Sequence, residues 1–241
     1  FEMRKKAVSL LGIITTSNYQ ANVTRGEFAE LLVKASDYKE AANAAGTVSV
    51  FADVSSKSQY SAAIRTAATN SWMSGYLGGN FKPDEGVTMR DAIKAVLGVL
   101  GYTNEDFSGS LQESRLAKFK SLSLDSGIYR DLDEVLTRED CINLFYNLMK
   151  AKTKEGNQYG SKVFDLTYNS DGEINTSSSA APAIFTQRYP TPYRKEIETA
   201  ADNAGLPTAW VFGLIRQESR FIDGVSSSAG ARGMMQIMPK T

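Results

Sequence analysis

Apolar residues recur along the first 150 positions at the spacing of amphipathic helices. In three places this pattern follows a threonine: Thr24, Thr88 and Thr137. Each has an apolar residue directly before it, an acid three residues later and another apolar residue four residues later. This arrangement is typical of a capping box with a hydrophobic staple. It predicts that a helix begins at each threonine.

Another segment with helical periodicity lies upstream of each of these helices. These segments are 3–11, 60–70 and 112–121. Two helices and a connector therefore recur three times, over about 1–45, 46–105 and 106–150. Such a unit cannot bury its apolar face alone, so neighbouring units are expected to stack. The single cysteine, Cys141, lies on the third of the capped helices and is predicted to pack in this core.

Composition excludes several classes of function. The 27 basic and 27 acidic residues cancel, so no net charge attracts nucleic acid. The chain has no histidine and one cysteine, which argues against the usual zinc, haem and imidazole chemistries. We therefore expect no metal and no cofactor. No apolar run approaches the roughly 20 residues that span a bilayer, so no membrane span is expected.

The connector of the second repeat gives the first specific signal. Residues 71–83 read Ser-Trp-Met-Ser-Gly-Tyr-Leu-Gly-Gly-Asn-Phe-Lys-Pro, with Phe-Ala-Asp-Val at 51–54 and Gly-Tyr at 101–102. With these segments, residues 1–150 resemble three repeats of the S-layer homology family. The resemblance implies a mainly α fold in which the repeats form one pseudo-threefold body. It also implies binding of secondary cell-wall polymer in grooves between the repeats.

By this resemblance, the polymer-binding residues are those that match the family's Thr-Arg-Ala-Glu-like motif. They are Thr24, Arg25 and Glu27 in the first repeat, and Arg138 and Glu139 in the third. The second repeat departs from the motif, because Met89 stands where the arginine is expected and Arg90 follows it. The alternative is that these residues only cap helices and that the repeats space domains. An arginine at the first helical position opposes the helix dipole, so capping alone does not require Arg25.

The chain changes character after residue 150. Residues 151–188 are interpreted as a linker with a possible β-hairpin, whose turn is Asn-Ser-Asp-Gly at 169–172. The turn lacks the ligand spacing of a calcium loop. Residues 176–182 are rich in Ser and Ala, and the domain boundary is placed there.

Residues 189–241 begin a second helical region. One helix is predicted up to Gly205, and another from 209 to about 220. Glu218 follows the apolar residues Val211, Leu214 and Ile215 by seven, four and three positions. It is therefore predicted to share their apolar face. Burial and the negative end of the helix dipole both favour the protonated carboxylic acid. That is the state a general acid needs, although pairing with Arg216 or Arg220 is the alternative.

The sequence around Glu218 closely resembles the soluble-lytic-transglycosylase family. The matching segments are Glu-Ser-Arg-Phe at 218–221 and Gly-Met-Met-Gln at 233–236. The resemblance implies a lysozyme-like α domain that cleaves the β-1,4 bond from N-acetylmuramic acid to N-acetylglucosamine in peptidoglycan strands, leaving a 1,6-anhydro end. It implies that Glu218 acts as acid and then as base. The substrate-binding residues implied are Ser219, Gly233, Met235 and Gln236.

The sequence thus predicts a cell-wall-anchored lytic transglycosylase at the surface of a bacterium. The family's later motifs would lie beyond Thr241, so we expect an incomplete catalytic domain, an inactive fragment, and an export signal lost with the N-terminus. Two alternatives stay open. One is a non-catalytic module that only binds wall polymer, and the other is a goose-type lysozyme-like hydrolase, which also uses a single glutamate.

Overall fold

The computed structural model describes residues 1–39, 50–176 and 194–206, together with 211, 214 and 215. The chain divides into two compact units, Phe1–Ile184 and Phe185–Thr241. The fold is mainly α, as predicted. Among the described residues, no helix is long and apolar enough to cross a membrane.

The first unit contains seven α-helices within its described residues, and the first six form three consecutive pairs, one in each of the three proposed repeats. Their bounds are α1 Glu2–Leu10, α2 Arg25–Lys34, α3 Ser61–Thr69, α4 Met89–Val99, α5 Leu111–Ser121, α6 Arg138–Lys150 and α7 Tyr159–Phe164. A 3-10 turn at Asn104–Asp106 precedes α5. The second helix of each pair begins directly after the predicted threonine cap.

The repeats pack around a closed cycle. The second helix of each repeat contacts the first helix of the next: α2 packs on α3, α4 on α5, and α6 on α1. The third repeat therefore packs on the first and closes the cycle. This is the pseudo-threefold arrangement that the resemblance implies.

A ring of three backbone hydrogen bonds lies where the repeats meet. The Val23 N–H donates to the Leu136 carbonyl over 2.9 Å, the Leu136 N–H donates to Val87 over 3.0 Å, and the Val87 N–H donates to Val23 over 2.9 Å. All three side chains are fully buried. These are the apolar residues that precede the three caps, so the hydrophobic staples also form the centre of the repeat body.

Residues 151–176 belong to the core of the first unit, although the sequence suggests a linker there. Tyr159, Val163 and Phe164 of α7 are buried in the same cluster as the repeats. The Tyr159 hydroxyl donates to the Ala35 carbonyl over 2.9 Å. A short hairpin does form, with Tyr168 bridged to Ile174. Packing against the C-terminal turns of the repeat helices gives this segment its structure.

The second unit contains α8, Arg194–Ala204, within its described part. Gly205 ends this helix with a positive φ of 66°, as the sequence predicts. Ile197 and Ala201 of α8 are buried together with Val211 and Ile215. The predicted apolar faces of the two helices therefore pack in one small cluster.

Candidate functional site

Three junctions join the repeats, and each contains the N-terminus of a second helix and the connector of the next repeat. Junction 1 joins α2 to residues 70–88, junction 2 joins α4 to residues 122–137, and junction 3 joins α6 to residues 11–24. At each junction the first two helical N–H groups donate to connector carbonyls. The pairs are Arg25 to Glu85 and Gly26 to Pro83, Met89 to Glu134 and Arg90 to Leu132, and Arg138 to Ala21 and Glu139 to Tyr19. Protein atoms therefore already satisfy these helix donors.

Junction 1 is built around Arg25, which is only 2% exposed. Its Nε donates to the Phe81 carbonyl over 2.9 Å, and one terminal nitrogen donates to the Ser74 carbonyl over 2.7 Å. The other terminal nitrogen forms an ion pair with Asp91. The guanidinium also lies 4.8 Å from the Tyr76 ring centre and 4.7 Å from that of Phe81. Arg25 therefore fixes the connector of the second repeat against α2 and α4.

The glycines of this connector allow the close packing that brings its carbonyl groups to Arg25. A side chain at Gly75 would meet the Phe51 ring at 2.4 Å and the Asn80 carbonyl at 2.8 Å. Gly79 has a φ of 80°, which favours glycine. The resulting turn leaves a pocket of about 130 Å³ lined by Arg25, Tyr76 and neighbouring residues.

Junction 3 holds the other four predicted binding residues. The Arg138 Nε donates to the Glu27 carboxylate over 2.9 Å, with the two side chains 31% and 17% exposed. Glu139 accepts a hydrogen bond from the Gln20 amide over 2.8 Å. Thr24 caps α2 by accepting from the Glu27 N–H over 3.2 Å. The structure thus brings Arg138, Glu27 and Glu139 together, and it places Arg25 at a different junction.

Junction 2 carries methionine at the motif position, and Met89 is buried. Its cation comes from the connector instead, because the Arg130 Nε donates to the Asp140 carboxylate over 2.8 Å. Arg90, which follows Met89, forms an outer pair with Asp133. Arg130 and the neighbouring Tyr129, which is 91% exposed, line a pocket of about 420 Å³.

Each junction therefore contains one arginine paired with the acid at the third position of a second helix. The pairs are Arg25 with Asp91, Arg130 with Asp140, and Arg138 with Glu27. The sequence motif identified Arg25, Glu27 and Arg138. It did not identify Arg130 or the ion pair that Asp91 forms with Arg25. The sequence signal that could have identified Arg130 is the short connector 126–131, in which an arginine directly follows Tyr129.

The same acids explain a difference in capping. All three threonines accept a hydrogen bond from the N–H three residues later, as predicted. The reciprocal bond of a full capping box forms at Thr137, where Asp140 accepts from the Thr137 N–H over 2.8 Å. At the other two caps, the described contacts of Glu27 and Asp91 are with an arginine of the preceding repeat in the cycle.

The predicted catalytic segment lies outside the described residues. This applies to Glu218, Ser219, Gly233, Met235 and Gln236. What the structure gives is the cluster that precedes them, where Val211 is 6% and Ile215 is 2% exposed. Together with Leu214, they are the residues from whose spacing the position of Glu218 was predicted.

Comparison with known families finds two matches in this chain. A family model described as S-layer homology domain matches residues 50–92. A second, described as Transglycosylase SLT domain, matches residues 195–241. The first match covers α3, the glycine-rich connector and the start of α4. The second covers α8 and the segment around Glu218.

Three individual relatives are similar to parts of this chain. The Middle cell wall protein of Brevibacillus brevis is 25% identical over 58% of this chain and 13% of its own length. The Surface layer protein of Brevibacillus choshinensis is 24% identical over 66% of this chain and 14% of its own length. The Soluble lytic murein transglycosylase of Escherichia coli K12 is 28% identical over 47% of this chain and 17% of its own length.

This chain spans between 13% and 17% of the length of these curated relatives. Both predicted resemblances are nevertheless confirmed. The chain combines similarity to the S-layer homology family with similarity to the transglycosylase SLT family.

Proposed function

We propose that this chain attaches a peptidoglycan lytic transglycosylase to the bacterial cell wall. The observation that carries this proposal is the presence of both family matches on one chain, at 50–92 and 195–241. The first kind of domain suggests cell-wall anchoring and the second suggests glycan cleavage. Together they suggest an enzyme held beside its substrate at the cell surface.

Glu218 is the proposed catalytic acid and base. Its carboxylic acid donates a proton to the glycosidic oxygen between N-acetylmuramic acid and N-acetylglucosamine, and the C1–O bond breaks. The muramic C6 hydroxyl then bonds to C1 and gives its proton to the Glu218 carboxylate. The products are a 1,6-anhydro end and a free C4 hydroxyl, and Glu218 regains its starting state. A second protein carboxylate is not needed if the substrate's N-acetyl group assists.

The position of Glu218 supports this role. Val211 and Ile215 are buried, and a residue three positions after Ile215 on a continuing helix would share their face. An apolar surrounding keeps a carboxylic acid protonated near neutral pH. Ser219, Gly233, Met235 and Gln236 are the proposed substrate contacts, with glycine allowing close approach of the backbone.

The three junctions are the proposed sites for the secondary wall polymer. Junction 3 supplies Arg138, with Glu27, Glu139 and Thr24 beside it, and junction 1 supplies Arg25 through its small pocket. Half-exposed Tyr76 and exposed Tyr129 add aromatic faces on which sugar rings can pack. The protein would then be extracellular and bound to the wall.

Product analysis tests the catalytic proposal. The protein in its full natural length is incubated with purified peptidoglycan, and the released fragments are examined by mass spectrometry. Glu218→Gln is expected to lower the rate at least about a thousandfold, because the variant cannot donate the proton. Asp202→Asn, an exposed acid on α8, is the matched control and should keep full activity.

The chemical form of the released sugar ends distinguishes the two enzymatic reactions. 1,6-anhydro ends support transglycosylation, whereas reducing ends assign the goose-type hydrolase reaction instead. Release that does not depend on Glu218 contradicts both enzymatic proposals.

A second candidate function is a module that only binds wall polymer. The observation in its favour is that the repeats and residues 151–176 share one hydrophobic core, which includes Val23, Val87 and Leu136 at the three junctions. Sedimentation with purified walls tests binding by itself. Binding to native walls that is lost after removal of secondary polymer is expected, and binding that survives this removal would argue against polymer anchoring.

A further inference from the structure

The contact between α1 and α6, which we call the seam, closes the cycle of repeats and differs from the other two helix contacts. Helices α2 and α3 follow each other in the chain, as do α4 and α5, whereas α1 and α6 lie at opposite ends of the repeat sequence. Because no short connector ties the two helices of the seam together, side-chain contacts and junction 3 have to keep it closed.

Arg4 of α1 makes polar contacts across the seam. One of its terminal nitrogens donates to the Asn143 side-chain oxygen over 3.0 Å and to the Ser126 carbonyl over 2.7 Å. The other donates to the Ser126 hydroxyl over 2.9 Å. The guanidinium also lies 5.4 Å from the ring centre of Tyr146 on α6. Arg4 therefore holds α1 on the third repeat, and the Tyr146 ring is part of the surface that it contacts.

Tyr146 connects the seam to the segment that follows the repeats. It is only 1% exposed, and its hydroxyl donates to the Glu173 carboxylate and accepts from the Ile174 N–H over 3.4 Å. Lys150, the last residue of α6, donates to the other Glu173 oxygen over 2.7 Å. The hydrogen bonds from Lys150 and then from Tyr146 hold the pKa of Glu173 below its ordinary value, and the charge of Arg4 adds to this lowering. Glu173 therefore contacts α6 directly and is attracted to α1.

Residues 165–176, which we call the strap, are held on α6 by further contacts. The Tyr168 hydroxyl donates to the Met149 carbonyl over 2.6 Å. Ile174 is 3% exposed and belongs to the core of the repeats. The packing is close, because a side chain at Gly160 would meet the Tyr168 hydroxyl at 2.4 Å. The strap thus packs along the last turns of α6.

We infer that the strap keeps the seam closed and that junction 3 opens when the strap detaches. Tyr146 is the element that both share, because its ring contacts Arg4 of α1 and its hydroxyl contacts Glu173 of the strap. When the strap detaches, the Tyr146 ring is no longer fixed at its hydroxyl end, and Arg4 loses the attraction of the Glu173 charge. Both changes weaken the contact of α1 with α6.

Junction 3 lies at the seam, so its backbone hydrogen bonds report whether the seam is open. The N–H groups of Arg138 and Glu139 donate to carbonyls of the first repeat, and the Val23 N–H donates to the Leu136 carbonyl of the third. Opening would also separate Arg138 from Glu27. Since the chain continues from the strap toward the second unit, a pull on that unit acts on the strap before it acts on the seam. Any effect on polymer binding rests on the proposed role of junction 3, whereas the opening itself does not.

Native-state hydrogen exchange of the 241-residue chain, measured by NMR without polymer, tests the strap. Glu173→Ala removes the acceptor of both Tyr146 and Lys150, and Tyr146→Phe removes the hydroxyl while the ring stays. Each variant loses a hydrogen bond to a charged group, so exchange of the three junction 3 amides is expected to rise about tenfold or more. The amides of Met89 and Arg90, which donate across junction 2, are the internal reference and should keep the wild-type rate.

Asp171→Ala is the matched control, because this exposed acid lies on the turn of the same hairpin. It should leave every reporter amide at the wild-type rate. Faster exchange at junction 3 alone in both strap variants supports the inference. A uniform rise at junctions 2 and 3 would assign the strap a general role in stability and overturn it, as would a rise confined to residues 159–176 or no rise at all. Because polymer is absent, none of these outcomes depends on the proposed function, which wall sedimentation tests separately.

Discussion

Junctions 1 and 2 contain similar ion pairs, but the arginine of each pair comes from a different structural element. At junction 1 the arginine comes from the helix, and Arg25 is buried beneath two aromatic rings while it pairs with Asp91. At junction 2 the helix provides Met89, and Arg130 of the connector pairs with Asp140. The third position of the second helix thus keeps an acid in every repeat, while the arginine can come from either side. The motif arginine therefore has a structural role as well as any role in binding.

The largest expected effect is at Arg25. Arg25→Met copies the helix position of junction 2 into junction 1, but junction 1 has Phe81 where junction 2 has Arg130. Asp91 then loses its ion-pair partner, and the Ser74 and Phe81 carbonyls lose donors. The free energy of unfolding should fall by about 3–5 kcal/mol in urea denaturation followed by circular dichroism. Arg90→Met, at an exposed pair, should cost less than about 1 kcal/mol.

A smaller loss is expected at Arg130. Arg130→Phe removes the cation from Asp140, whose side chain is 9% exposed, and should cost about 1–3 kcal/mol. Adding Met89→Arg recreates the arrangement of junction 1 and should recover about 1 kcal/mol or more of that loss. If the two changes are simply additive in the same denaturation experiment, the arginine does not transfer between the two positions.

The next difference in stability is expected between two of the threonine caps, Thr24 and Thr137. Thr24→Ala removes one capping hydrogen bond and should cost about 1 kcal/mol. Thr137→Ala also removes a hydroxyl contact to Asp140, and should cost up to about 2 kcal/mol. Equal losses in parallel urea titrations would show that the full capping box at Thr137 adds no stability.

The smallest change in stability is expected at junction 3. The Arg138–Glu27 pair is partly exposed, so Arg138→Gln should cost about 0–1 kcal/mol. Polymer binding is expected to fall nevertheless, since Arg138 is the more accessible motif arginine. A variant that unfolds readily but binds polymer normally would reverse this assignment.

The sequence predicted the helices well because their signals are local. Threonine caps and apolar periodicity identified the starts of α2, α4 and α6 within one residue, and Cys141 is buried as expected. Helix α7 was missed because its structure depends on tertiary contacts. Gly160 allows the chain to approach the Met149 carbonyl so closely that a side chain there would lie 2.6 Å from it.

The ion pairs could not be read from the sequence. Arg25 and Asp91 are 66 positions apart, and Arg138 and Glu27 are 111 apart. Only the cyclic packing of the repeats brings them together. The roles of Glu218, Ser219, Gly233, Met235 and Gln236 stay predictions, since these residues lie outside the described part of the chain.

The central claim is that the repeats hold a transglycosylase on the wall. The ratio of fragment-release rates from native walls and from walls stripped of secondary polymer tests this claim most directly. The full-length protein is given native walls and walls stripped of secondary polymer, and release of 1,6-anhydro fragments is measured. An unanchored muramidase on the same walls corrects for accessibility of the glycan. We predict faster corrected release from native walls, with none by Glu218→Gln on either. Equal corrected rates on both walls would contradict the claim.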